Sequence, residues 1–147
     1  MHAAARALGH DLEFRSLPFP LLFQELAPGV EAEVGPVRVQ SFETRHQLDA
    51  CPHGFAIQAG RRRIVYSGDT GWFDDLPRHT RGADLFVCEC TFETPVIPEH
   101  MAYDELVERA PRFACERLVL THLGTALAER RGHLALETAD DGLELDL

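Results

Sequence analysis

Three apolar runs, each ending in a turn that carries a metal-type ligand, restrict what this chain can fold into more than any other feature. The clearest is Ile64-Val65-Tyr66-Ser67-Gly68-Asp69-Thr70-Gly71. Its first three residues are β-branched or aromatic and predict a buried strand. The two glycines around Asp69 and Thr70 permit backbone angles that other residues avoid. Asp69 is therefore held where a sheet stops and a cleft begins. A carboxylate there serves as a hard oxygen ligand for a cation, as a general base, or only as the cap of a following helix.

The same logic extends along the chain. From Gly35, Val37, Val39 and Ser41 alternate with Arg38, Gln40 and Phe42, the period-two signature of a strand. Residues 54–59 and 63–67 predict a hairpin across Gly60, and 84–90 and 117–121 predict buried strands. Residues 73–80 suit a short helix. Tyr103, Leu106, Val107 and Ala110 give 102–113 helical spacing, with Pro111 weakening its last turn. Residues up to 131 have helical potential, and a last strand is expected near 143–147. Residues 1–10 read as a helical stub and 12–14 as a short extended run. Strands alternating with amphipathic helices predict an α/β layered fold, with neither a linker nor a second domain.

Composition removes several functions. Fourteen Arg, no Lys and 24 Asp plus Glu give a net charge of −10, which disfavours sequence-independent binding to nucleic-acid phosphates. Arg61-Arg62-Arg63 adjoins Gly60 and fits a solvated hairpin turn. Cys51, Cys88, Cys90 and Cys115 lack Cys-x-x-Cys spacing, and Cys88 and Cys90 suit two buried thiols on one strand face. The N-terminal residues lack a signal-type apolar core and no run is long enough to cross a bilayer, so a cytoplasmic location is expected.

His46, Asp69 and His122 each follow a predicted strand, and sites in α/β sheets collect at strand ends. Imidazole and carboxylate form the ligand set that zinc, manganese or iron accept when a position stays open to water. A lone histidine is ordinarily a core or surface residue. Three candidates after three strands favour a metal site.

Residues 66–71 (Tyr-Ser-Gly-Asp-Thr-Gly), 83–92 (Ala-Asp-Leu-Phe-Val-Cys-Glu-Cys-Thr-Phe) and 118–124 (Leu-Val-Leu-Thr-His-Leu-Gly) resemble, in order and spacing, the later motifs of metallo-β-lactamase-fold hydrolases. The likeness runs from about residue 17 to 147 and is nearest to the ribonuclease Z branch. That branch has a His-Glu-Ala-Thr motif and then a His-Ser-Thr motif. Here the first becomes Cys88-Glu89-Cys90-Thr91 and the second His100-Met101-Ala102. The resemblance implies an α/β fold, the C-terminal part of an αββα sandwich: a mixed sheet with helices on its outer face. It implies that Asp69 bridges two metal ions, usually zinc, with His46 on the first and His122 on the second. His53, just before Gly54-Phe55, competes with His46. Glu89 and His100 would act near the leaving group. The alternatives are that Glu89 is a satisfied strand carboxylate and that His100 caps the helix near Ala102.

The family's His-x-His-x-Asp-His motif does not occur in these 147 residues, and His2 and His10 are too far apart to replace it. Residues 1–147 are thus expected to form one partial domain without the N-terminal half, holding zinc weakly or not at all as a monomer. Such a chain would expose apolar surface and an open strand edge, and would associate with a second copy or with a complementing N-terminal half. The implied activity is metal-dependent hydrolysis of a small phosphodiester or ester by metal-activated water, with RNA a weaker fit and no membrane involved. The competing expectation is an inactive remnant that binds a partner or dimerises.

Overall fold

The computed structural model describes residues 25–147. The expected stub at 1–10, the extended run at 12–14, and His2 and His10 lie outside these residues. The described chain forms one seven-stranded sheet in the order β1 to β7. The strands are β1 (Glu31–Val34), β2 (Val37–Glu43), β3 (His53–Ala59), β4 (Arg62–Tyr66), β5 (Ala83–Glu89), β6 (Cys115–Thr121) and β7 (Glu137–Thr138). Three short helices join them: α1 (Leu76–His79), α2 (Tyr103–Arg109) and α3 (Thr125–Ala128). No described helix is long and apolar enough to cross a membrane.

β1 to β4 form an antiparallel meander, whereas β4, β5, β6 and β7 pair in parallel. The expected strand-helix alternation therefore holds only from β4 onward. Before it, antiparallel neighbours need no crossover: two-residue turns join β1 to β2 and β3 to β4, and the longer segment 44–52, which carries His46, joins β2 to β3. β5 is central and apolar on both faces, as a buried parallel strand must be: Ala83, Leu85, Phe86 and Cys88 are all buried. One sheet face, with Phe42, Ala56, Val65, Phe86, Cys88 and Leu120, packs against Leu76, Leu106 and Leu127 of the helices and against Met101. The opposite face carries the register-matched row Val39, Ile57, Ile64 and Leu85.

Three expectations need correcting. Residues 143–147 form no strand, and the sheet ends at Glu137–Thr138 beside β6. Their alternating leucines have the right period but no strand to pair with. Second, helical structure after His122 stops at Ala128, where the chain turns. Third, β1 was not foreseen, because Glu-Ala-Glu-Val is short, exposed and acidic, as suits an edge strand. The 102–113 helix narrows to α2 and continues as a 3-10 turn at Ala110–Arg112, where Pro111 has no N–H to give. The arginine cluster lies at the β3–β4 hairpin, with Arg62 and the Arg63 amide bound to Asp84. These contacts hold the Asp84 carboxyl below its ordinary range, first through the Arg63 amide and then through Arg62.

Candidate metal-dependent hydrolytic site

Strand direction gathers the candidate residues. β4, β5 and β6 are parallel, so Asp69, Glu89 and His122 emerge at one edge of the sheet. β2 is two antiparallel steps from β4 and points the same way, so the chain leaving it carries His46 to that edge too. Gly68, at φ +61°, makes the turn after β4, and a Cβ there would meet the His53 carbonyl at 2.5 Å. Thr70, fully buried, ties this turn to the His46 loop: its Oγ1 accepts from the Arg45 amide at 2.9 Å. Gly71 lets the 93–100 loop close over the site, since a Cβ would sit 1.7 Å from the Pro98 carbonyl oxygen.

Glu89 is the hub. Its side chain is 1% exposed, so each oxygen must find donors inside the protein. Oε1 accepts from the Thr70 amide at 2.9 Å and from His100 Nδ1 at 2.7 Å. Oε2 accepts from the Thr91 amide at 3.1 Å, the Thr91 hydroxyl at 3.1 Å and the Met101 amide at 3.2 Å. Three of these donors are backbone amides that no side-chain rotation can redirect. Glu89, His100 and His122 bring one ligand atom each within 4.8 Å of one another. The Glu89 oxygens are nevertheless filled by hydrogen bonds, so this carboxylate orients His100 and does not serve as a metal ligand.

His100 is fixed by that bond. With Nδ1–H donated to Glu89, its Nε2 faces Nε2 of His46 at 3.3 Å, the rings crossing edge to face with centroids 4.9 Å apart. One proton between the two nitrogens satisfies both. On its other side His100 stacks on His122, with centroids 5.6 Å apart and planes 17° apart. Helix α2 has Ala102 as its N-cap with no side-chain cap, so His100 caps nothing. The next described helix after Asp69 begins at Leu76 with Asp75 as N-cap, so Asp69 caps nothing either.

Thr91 was not singled out from the sequence. Its hydroxyl donates to Glu89 and lies 2.8 Å from His122 Nδ1. A hydroxyl that gives its one proton to Glu89 must accept from His122, which places the imidazole proton on Nδ1 and leaves Nε2 open. The kept threonine of the Cys88-Glu89-Cys90-Thr91 motif was the available signal. His122 has φ +54°, a left-handed conformation uncommon for a residue with a side chain and concentrated at sites. The Asp69 carboxylate accepts no hydrogen bond among the described residues and faces His122 Nδ1 at 3.8 Å, beyond hydrogen-bond reach. Burial, then the charges of Asp69 and Glu89, push the Tyr66 phenol above its ordinary value, so it stays a donor.

Asp69 and His122 offer a divalent cation an uncommitted carboxylate and an imidazole with an open nitrogen, whereas His46 touches the site only through His100: the group of ligand atoms within 4.8 Å among the described residues is Glu89, His100 and His122, not His46, Asp69 and His122. His53 is not part of this group, because its Nδ1 pairs with the Cys51 carbonyl at 2.6 Å and its Nε2 is buried without a described partner.

The mixed sheet, with histidines and acids gathered at its strand ends, makes this an α/β layered fold with a candidate metal site. Residues 3–123 match the model of the β-lactamase superfamily domain, and the chain belongs to that superfamily. Its sequence is 31% identical to ribonuclease Z of Ignicoccus hospitalis over 85 residues, covering 54% of this chain and 28% of that protein. Among solved structures it is similar to the metallo-β-lactamase fold protein YhfI of Bacillus subtilis, with TM-score 0.68, 23% identity, and coverage of 82% of this chain and 54% of that one. It is also similar to zinc-bound PqqB of Methylobacterium extorquens, with TM-score 0.64, 20% identity, and coverage of 84% of this chain and 52% of that one. The chain thus spans about half the length of these solved structures and about a quarter of that ribonuclease Z.

Proposed function

We propose that this chain carries the later ligands and the proton donor of a metal-dependent hydrolase acting on a small phosphodiester or related ester. The observation that supports it best is the convergence of His46, Asp69, His100 and His122 on one sheet edge, with His100 anchored to Glu89 at 2.7 Å. His46, Asp69 and His122 would hold the metal, zinc before manganese or iron. These residues would give a divalent ion its place, and the chemistry it would supply is polarisation of the scissile group and a water acidic enough to yield hydroxide near neutral pH. Glu89 holds the His100 ring through Nδ1, so that once His46 turns to the metal and its 3.3 Å contact with His100 Nε2 opens, a protonated Nε2 would pass its proton to the leaving oxygen. Thr91 keeps the proton of His122 on Nδ1. The net charge of −10 favours a small ester over RNA.

Three ligands are few for two ions. We therefore read residues 1–147 as one partial domain whose remaining ligands come from an N-terminal half or a second copy. Light scattering on the eluting protein tests the second copy, and a clean monomer at micromolar concentration contradicts it. The activity test is turnover of bis(4-nitrophenyl) phosphate with added zinc or manganese. Metal-dependent turnover abolished by Asp69→Ala, and lowered about 100-fold or more by His100→Ala, supports the hydrolase. Neither metal uptake nor turnover points instead to an inactive module that binds a partner or dimerises.

A further inference from the structure

Beyond the four edge residues, one cleft opens from His100 in a direction the hydrolytic chemistry does not use. It holds about 390 Å³ and is lined by Arg45, Trp72, His100, Glu105 and Arg109, with Val96 and Ile97 on its wall. The chain as a whole is strongly acidic, yet here guanidinium groups meet an aromatic ring. Arg109 lies over the Trp72 ring at 4.5 Å and Arg112 at 4.8 Å. Arg109 is also paired with Glu105 at 3.1 Å, which offsets part of its charge and leaves Arg45 as the cleft's arginine without an ion-pair partner among the described residues. Arg45 donates to the Trp72 carbonyl at 3.2 Å, and no ion pair among the described residues includes it. Among the described residues no carboxylate oxygen lies within 4.0 Å of its guanidinium.

The wall opposite is apolar and exposed: Val96 is 64% and Ile97 43% accessible. Both stand between Pro95 and Pro98, which limit the loop's freedom, so these side chains are presented to solvent by a stiff segment. The neighbouring cleft, of about 850 Å³, shares Arg45 with the first but adds His46 and three carboxylates, Glu43, Asp49 and Glu99. Two arginines against one carboxylate in the first cleft, and one arginine against three carboxylates in the second, make the first the better place for an anion. Charge and shape thus separate two directions away from the same edge.

We propose that the cleft of Arg45, Trp72 and Arg109 binds the leaving-group portion of the substrate, and that this portion is an apolar, aryl-sized group bearing its own anion, a phosphate or a carboxylate. This assignment rests on the proposed role of His100 in protonating the leaving oxygen, because the cleft begins at that ring. The two arginines take the anion, Trp72 and the Val96–Ile97 wall take the apolar body, and the ester oxygen falls at His100.

Trp72 is the chain's one tryptophan, so its fluorescence reports this cleft directly. The full chain, stripped of metal with a chelator, is titrated with phenyl phosphate, benzyl alcohol and inorganic phosphate. We expect a saturable Trp72 response to phenyl phosphate, and affinities at least about tenfold weaker for the other two. Arg45→Gln and Arg109→Gln, checked for native circular dichroism, should each weaken phenyl phosphate about tenfold or more. Asp69→Ala and His122→Ala should bind it with undiminished affinity, which keeps this result independent of any metal or turnover. Equal binding of benzyl alcohol, no saturable response, or folded arginine variants that bind as the parent does would each overturn the assignment.

Discussion

Replacing Glu89 by Gln keeps the side chain's size but turns one acceptor oxygen into a donor, and the structure shows what that costs. Three donors converge on Oε2 and two on Oε1. The amide oxygen gains most at the Oε2 position, which leaves its NH2 facing the buried Thr70 amide that was 2.9 Å from Oε1. An orphaned buried N–H costs about 1–3 kcal/mol, and the lost carboxylate bond to His100 adds about 1 kcal/mol more. A total near 3 kcal/mol lowers Tm by about 10 °C in a domain of this size. Glu89→Ala strips acceptors from three backbone amides and opens a cavity, so its loss is larger, about 5 kcal/mol. Urea unfolding followed by Trp72 fluorescence and circular dichroism gives both values, provided the m-value is unchanged. A Glu89→Gln protein within about 1 kcal/mol of the parent at equal m would refute the hub role.

Gly71→Ala drives a methyl into the Pro98 carbonyl, 1.7 Å from the ideal Cβ, so the 93–100 loop must move. It should cost about 1–3 kcal/mol and shift the His100 ring signals in NMR spectra. Toward a thiol reagent, exposed Cys51 should react at once, whereas Cys88 and Cys90 should react only on unfolding. Burial raises the Cys88 thiol well above its usual value and pushes Cys90 up to about 12, so neither forms the reactive thiolate in the native protein. His79 stacks on Phe42 at 4.0 Å, and burial lowers its pKa. The unfolded chain then binds the proton more readily than the native one, so stability should fall as pH drops through about 6.5. In His79→Leu, urea midpoints should lose that part of the pH slope.

Legibility of this fold in the sequence followed how local each signal was. Ile64 to Tyr66, Leu85 to Cys88 and Leu118 to Leu120 announce strands through their apolar side chains, but only β5 is buried on both faces: in β4 Val65 is buried while Tyr66 stays 38% exposed, against the expected buried strand. β7 has two residues and exists only because β6 lies beside it, while Leu143, Leu145 and Leu147 carry strand periodicity with no partner. Among the site residues, His46, Asp69 and His122 were visible as ligands placed after strands, and strand direction explains why they share an edge. The links between them were not visible. Thr91 after Glu89 reads locally as an ordinary turn residue, and its bond to His122 depends on β5 and β6 being parallel neighbours. The meeting of Arg45 with Trp72 and Arg109 is likewise produced only by the folded sheet edge.

His46, Asp69 and His122 are proposed to act together as a divalent-metal centre, and zinc titration watched through the histidine ring nitrogens tests this most directly. Zinc should move the signals of His46 and His122 together, leave those of His53 and His79 in place, and lose its effect in Asp69→Ala. It should keep that effect in any Glu89→Gln protein that folds. Zinc that moves neither ring, or that binds equally well without Asp69, would contradict the metal centre and with it the proposed hydrolase.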